Sequence, residues 1–326
     1  MRPFEPLFRN PHVLTILGNF WPRGFDFSRY AMTTRLVRTD QDTHVLVQTQ
    51  TPTGEAIAEV VLLHGLEGGG DAGYIRSMAW HALEAGFIAH RFHMRTCGGT
   101  ESLCKTLYHA GLTCDLEAFL RQLRAEGRGL PVFLIGFSLG GNVALKLAGE
   151  LGQTDLIQGV CAISTPIDLA KSAQRIGRPD NRLYERRFLK RMRARLISTR
   201  RYSPRDLAGA QSLYEIDDIV TAPSFGFRGA DHYYETQSSA RYLDAIRVPA
   251  LLIQAKDDTF IPFSIFEHPA FRTNPFLKLL AVEHGGHLGF LASRGERFWA
   301  DEVAIGFVKE IAANLRHTAT AQPGAV

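Results

Sequence analysis

Only four cysteines occur in 326 residues, with no Cys-x-x-Cys pair and no histidine at zinc-finger spacing from any of them. That scarcity excludes a disulfide-stapled miniature and a structural zinc site, so Cys97, Cys104, Cys114 and Cys161 are expected to be reduced, buried or half-buried thiols. Long apolar runs are missing too. The best of them, Val60-Val61-Leu62-Leu63 and Val132-Phe133-Leu134-Ile135, are strand-sized, far short of the ~18 residues of a membrane span. The opening Met1-Arg2-Pro3-Phe4-Glu5-Pro6 has no basic start, apolar middle or small-residue cleavage site, and a cytoplasmic location is expected. No repeat with a period of roughly 20 to 50 residues is visible, which removes solenoids and propellers.

What is present is an ordinary globular composition, 45% hydrophobic and 21% charged, enough for a large core. The length fits two domains or one domain with an insertion. The net charge of +4 is unevenly spread: residues 171–205 hold 13 Lys/Arg against Asp180 and Glu185 alone, leaving the rest of the chain acidic. Leu183, Phe188, Leu189, Met192 and Leu196 interleave this block at near-helical spacing, as in a solvated amphipathic helix. Its charge suits a weak membrane-surface contact, and the rival reading from another class is a catalytically idle module whose basic face binds anionic lipid or nucleic acid, although nucleic acid is not expected as a partner.

Alternating residues over 43–50 suggest an opening hairpin. Continuous apolar runs over 57–63, 87–92, 131–135, 157–163, 248–254 and 276–282 read as strands covered on both faces. Helical periods at 72–84, 112–124, 139–151, 238–246 and 296–315 separate them, so the fold class is α/β, a mostly parallel doubly wound sheet with right-handed crossovers. The alternation lapses over 164–234, which reads as a helical cap inserted between two strands, and the tail 317–326 is expected to fray.

Gly136-Phe137-Ser138-Leu139-Gly140 is a Gly-x-Ser-x-Gly turn with an apolar strand before it and a helical period after it. Such a turn exposes the Ser138 hydroxyl and aims a helix N-terminus at developing negative charge. Serine is a weak nucleophile at neutral pH and needs a base, itself oriented by a third group. Downstream, the strand ending at Gln254 runs into Asp257-Asp258, and the last strand runs into Glu283-His284-Gly285-Gly286-His287. Both aspartates sit at a strand's carboxyl end, where sheets of this kind build their sites. On spacing alone either histidine could serve. His287 is preferred because the preceding glycines let its loop reach back over Ser138, whereas His284 nearly abuts the strand. Asp257 is expected to cap the following turn. After the strand 57–63 comes His64-Gly65-Leu66-Glu67-Gly68-Gly69-Gly70, whose backbone can turn inward, and the amides of Leu66 and Leu139 are assigned as an oxyanion trap. No metal and no organic cofactor is called for.

In these motifs the chain resembles the α/β-hydrolase superfamily, and within it the branch of bacterial YheT-like hydrolases and eukaryotic abhydrolase-domain lipases and esterases. Asn10-Pro11-His12 with Thr15, Asp217-Asp218 with Thr221-Ala222-Pro223, and Gly226-Phe227 carry the resemblance further, over nearly the whole chain. The resemblance implies one α/β-hydrolase domain over 1–326 and hydrolysis of carboxylic esters, short- or medium-chain acyl or lipid, through Ser138, His287 and Asp258. Asp258 is favoured because it stands four residues before Pro262. Acyl transfer to alcohols would use the same acyl-enzyme. Two positions depart from the family pattern: Thr96 stands where relatives carry Gly, and Leu14 where they carry Gln.

Overall fold

The computed structural model describes residues 2–320. Short apolar runs buried along their whole length can form only the interior of a sheet with layers on both sides. They supply β3 (Ala58–Leu63), β4 (Phe87–Phe92), β5 (Val132–Phe137), β6 (Gly159–Ile163) and β7 (Ala250–Ala255). β8 (Leu277–Val282) closes one edge, and the hairpin of β1 (Met32–Asp40) and β2 (Thr43–Gln50) closes the other. The order is β1-β2-β4-β3-β5-β6-β7-β8, antiparallel from β1 to β4 and parallel from β4 onward.

Alternate residues feed opposite layers, as the two-residue pleat requires. Val61, Leu63, Val132 and Leu134 pack beneath the helices Cys114–Ala125 and Leu139–Leu151, while Val60, Leu62, Phe133 and Ile135 pack beneath Gly73–Glu84 and Trp299–Thr320. Both crossover layers thus share a common floor.

Several sequence boundaries move. β5 runs on through Gly136 and Phe137, because these residues pair with Ala162 and Ile163. The period expected over 238–246 is a 3₁₀ helix, Ser239–Ala245, and the final helix begins only at Trp299. That helix is drawn to Thr320, and the rest of the tail expected to fray, residues 321–326, lies outside the described residues. Cys97, Cys104 and Cys161 are buried, but Cys114 is exposed at the start of its helix. No helix among the described residues is long and apolar enough to cross a membrane.

Between β6 and β7 the chain forms the helices Leu169–Ile176, Arg182–Ser198, Leu213–Ile216 and Ala230–Gln237, with a π-helical turn over Asp217–Thr221. Leu189, Met192 and Leu196, spaced three and four apart, gather with Leu207, Ile216 and Val220 into a small core of their own. Leu183, expected on that apolar face, is 78% exposed, because it lies off the stripe that starts at Leu189.

Asn142, fully buried on the helix Leu139–Leu151, ties this segment to the sheet: its amide donates to the carbonyls of Ala110 (2.8 Å) and Gln237 (2.9 Å) and accepts from Ser239 N–H (2.8 Å). Asn142→Ala would strand three buried backbone groups. It is expected to lower the unfolding free energy by about 3 kcal/mol in urea titrations, with an unchanged slope.

Candidate active site

Ser138 stands between β5 and the helix Leu139–Leu151 with φ +51° and ψ −121°, a backbone region that side chains rarely enter. Close packing enforces it. A Cβ at Gly136 would lie 2.4 Å from the Gly140 carbonyl oxygen, and one at Gly140 would lie 2.4 Å from that of Leu63. Only a strand and helix without side chains at these points can pass so near, and the hydroxyl is left standing above the sheet.

Three distant stretches meet at that hydroxyl. Ser138 Oγ lies 3.0 Å from His287 Nε2, and His287 Nδ1 lies 3.1 Å from each oxygen of Asp258. The Asp258 carboxylate also accepts from the Phe260 and Ile261 amides (2.8 and 3.1 Å) and from Gln254 Nε2 (3.1 Å). Asp258 and His287 are both buried, and the Phe260 ring packs 4.5 Å from the imidazole. Of the two Asp-His choices open in the sequence, the structure joins Asp258 and His287 to the serine. His284 pairs instead with Asp257 (3.0 Å). Asp257 does not cap its own turn, as the sequence suggested: its second oxygen accepts from Gly286 N–H (2.9 Å), across to the histidine loop.

The turn after β3 carries Leu66, and the amides of Leu66 and Leu139 donate to no protein acceptor among the described residues. Both residues line the cavity above Ser138. The loop is pinned on either side. Gly65 N–H donates to Tyr74 OH (3.0 Å) and Glu67 N–H to Tyr108 OH (2.9 Å). His64 beneath it donates through Nδ1 to the Gly65 carbonyl and accepts at Nε2 from Met94 N–H, and burial pushes its pKa down to about 4, so it is a neutral brace.

Sequence reasoning missed four supporting residues: Thr15, Tyr74, Tyr108 and Arg195. Arg195, on the helix Arg182–Ser198, grips the buried Glu67 carboxylate through Nε (2.9 and 3.1 Å) and a terminal nitrogen (2.8 Å), and lies 4.6 Å over the Tyr108 ring. Its other terminal nitrogen donates to Thr96 Oγ1 (2.9 Å), which helps hold that threonine at φ +58°. Thr15 accepts the His287 N–H at its hydroxyl (2.9 Å), and Thr15 Oγ1 itself donates to Pro11 O (2.7 Å). The only sequence signal for it was its place in the Asn10-Pro11-His12 motif. His12 reaches the inserted segment through Tyr184 OH (3.2 Å). Cys97 packs in the core, where burial pushes its thiol up to about 12.

Two cavities meet at Ser138. The narrow one, about 100 Å³, is apolar, walled by Leu107, Phe188, Met192, Ile216 and Val220. Asp217 borders its far end, held by Tyr234 OH and Thr221 Oγ1 (both 2.7 Å), and burial raises its carboxyl from the ordinary 3.8 to about 6. The broad one, about 490 Å³, opens past His287.

The description "alpha/beta hydrolase family" matches residues 60–301, and the chain belongs to that family. It falls in the branch that includes the Escherichia coli protein named "Putative esterase YheT", to which it is 30% identical over 292 residues, 87% of this chain and 85% of the other. A monoacylglycerol lipase of Saccharomyces cerevisiae is 28% identical over 263 residues, covering 77% of this chain and 58% of that one. The solved Pyrococcus furiosus esterase Pf2001 superimposes with a TM-score of 0.58 at 18% identity, over 95% of this chain and 99% of that one, and shares the fold. The chain is a carboxylic ester hydrolase in class.

Thr15→Val removes the acceptor for His287 N–H while keeping the shape. Ester turnover is expected to fall about tenfold, mainly in kcat, and Thr15→Ser to restore it. Asp217 yields a pH test. Its folded pKa lies above the unfolded one, so its contribution to stability is complete below about 3.8 and declines as pH rises towards 6. Asp217→Asn is expected to flatten the fall in unfolding free energy over that window, by up to one proton's worth of slope.

Proposed function

We propose that Ser138 is the nucleophile, His287 the general base and acid, and Asp258 the group that fixes the imidazole, in an esterase acting on short- or medium-chain acyl or lipid esters. The observation that carries this reading is the unbroken relay from Ser138 Oγ through His287 to Asp258, at 3.0 and 3.1 Å. Residues 164–234 serve in it as a cap over the site.

In acylation Ser138 Oγ attacks the ester carbonyl as its proton passes to His287 Nε2. The new anionic oxygen is held by the Leu66 and Leu139 amides, at a helix N-terminus whose dipole favours negative charge. The tetrahedral adduct then expels the alcohol, whose oxygen takes the proton back from Nε2. Water enters by the same sequence and releases the acid, with Asp258 ionised throughout. No step requires a metal or an organic cofactor. The apolar narrow cavity supports an acyl chain as its occupant, since each buried methylene contributes about 0.8 kcal/mol.

Ser138→Ala is expected to lower kcat/KM on a chromogenic acyl ester by about 10⁴-fold or more, and His287→Ala comparably. A Ser138→Ala enzyme within tenfold of the parent would overturn the assignment.

A further inference from the structure

The helix Arg182–Ser198 lays two different stripes over the cleft. Met192 and Leu196 line the narrow apolar cavity, Arg187 and Arg191 line the broad one, and Phe188 stands between them on both. Arg195, the next arginine at the same four-residue spacing, is neutralised by Glu67. The other two are not: among the described residues neither Arg187 nor Arg191 forms an ion pair, and Arg187 merely rests 5.3 Å from the Phe20 ring. The one other carboxylate on the broad cavity, Asp71, is paired with Arg91 (2.9 Å). Two mutually repelling guanidinium groups therefore face a cleft that offers them no counter-charge.

Geometry also says which part of the substrate meets them. The leaving alcohol must receive its proton from His287 Nε2, and His287 borders the broad cavity and not the narrow one. The alcohol therefore departs on the arginine side.

We propose that the broad arm selects acyl esters whose alcohol portion carries a phosphate group, bound by Arg187 and Arg191, while the acyl chain fills the apolar arm. This inference rests on the assignment of Ser138 and His287 above. Arginine suits the task because its planar fork binds phosphate oxygens in pairs and stays charged at any working pH.

The test compares two soluble substrates with one acyl chain, monobutanoylglycerol and butanoylglycerol 3-phosphate, by the ratio of their kcat/KM values. The parent enzyme is expected to favour the phosphate ester by about ten- to a hundredfold, mostly through KM, with the preference shrinking at about 1 M salt, where screening acts over ~3 Å. Arg187→Gln/Arg191→Gln should collapse the ratio, the double Lys variant should retain part of it, and Arg187→Glu/Arg191→Glu should invert it. Both side chains are exposed, so these variants are expected to fold. A parent ratio near one, or a ratio the variants leave unmoved, overturns the proposal. So does a loss seen only with long-chain substrate in anionic vesicles, which would assign the arginines to a membrane surface. Turnover of monobutanoylglycerol that Ser138→Ala abolishes would keep the esterase reading intact even then; persistence of that turnover in Ser138→Ala would remove both.

Discussion

The close passage of β5, β3 and the helix Leu139–Leu151 is the constraint from which the rest of the site follows. With Gly136 and Gly140 bare, the helix can start directly off the strand, and Ser138 takes a positive φ at the turn between them. The cost of that conformation, of order 1–3 kcal/mol, is met by a sheet whose central strands are buried along their whole length. The same junction leaves Leu139 N–H unclaimed at the helix start, next to the loop that carries Leu66. On the proposed assignment, nucleophile and oxyanion donors are therefore one packing solution, not separate inventions.

How much of this was legible beforehand depends on the range of the interaction. The elbow was readable because strand, glycines, serine and helix are contiguous, and the Asp258 and His287 loops were readable because each follows a recognisable strand. Choosing between adjacent aspartates was harder. Asp257 was read as a turn cap, a local role, yet it bonds the histidine loop across β7 and β8. Tyr108 and Arg195 left no local signal, and Thr15 only its place in the N-terminal motif, since each acts on a partner between 41 and 272 positions away, and only the folded topology brings them together. Leu183 shows the converse error: helical spacing identified an amphipathic segment, but the phase of its buried stripe is set by Leu207, Ile216 and Val220, which periodicity does not contain.

Polar links fasten the segment between β6 and β7 to each catalytic loop separately. Asn181 donates to the Thr259 carbonyl beside Asp258 (2.6 Å), Arg195 grips Glu67 beside Leu66, and Asn142 holds the segment's far end from the nucleophile helix. The N-terminal arm adds a fourth tie, through Thr15 to His287. Asp258, His287, the helix after Ser138 and the Leu66 loop, the groups proposed to act in catalysis, are thus each braced by a residue with no part in the proposed chemistry. Such bracing is what holds reacting groups within the few tenths of an ångström that general acid-base catalysis needs.

The Arg195–Glu67 ion pair is buried, and such a pair is a poor source of stability, because desolvating both charges cancels much of their attraction. Its value lies in direction. Three nitrogen-to-oxygen contacts and the Tyr108 ring leave the helix Arg182–Ser198 little freedom to rotate about its axis. Since residues four apart share a face, fixing Arg195 fixes where Arg191 and Arg187 point, and by the same rotation where Met192 and Phe188 point. The boundary between the basic and apolar arms of the cleft is therefore set by one buried carboxylate on the oxyanion loop. On the proposed assignments, a change at Glu67 would shift substrate preference and oxyanion geometry together, tying selectivity to catalysis through a residue that need not touch the substrate.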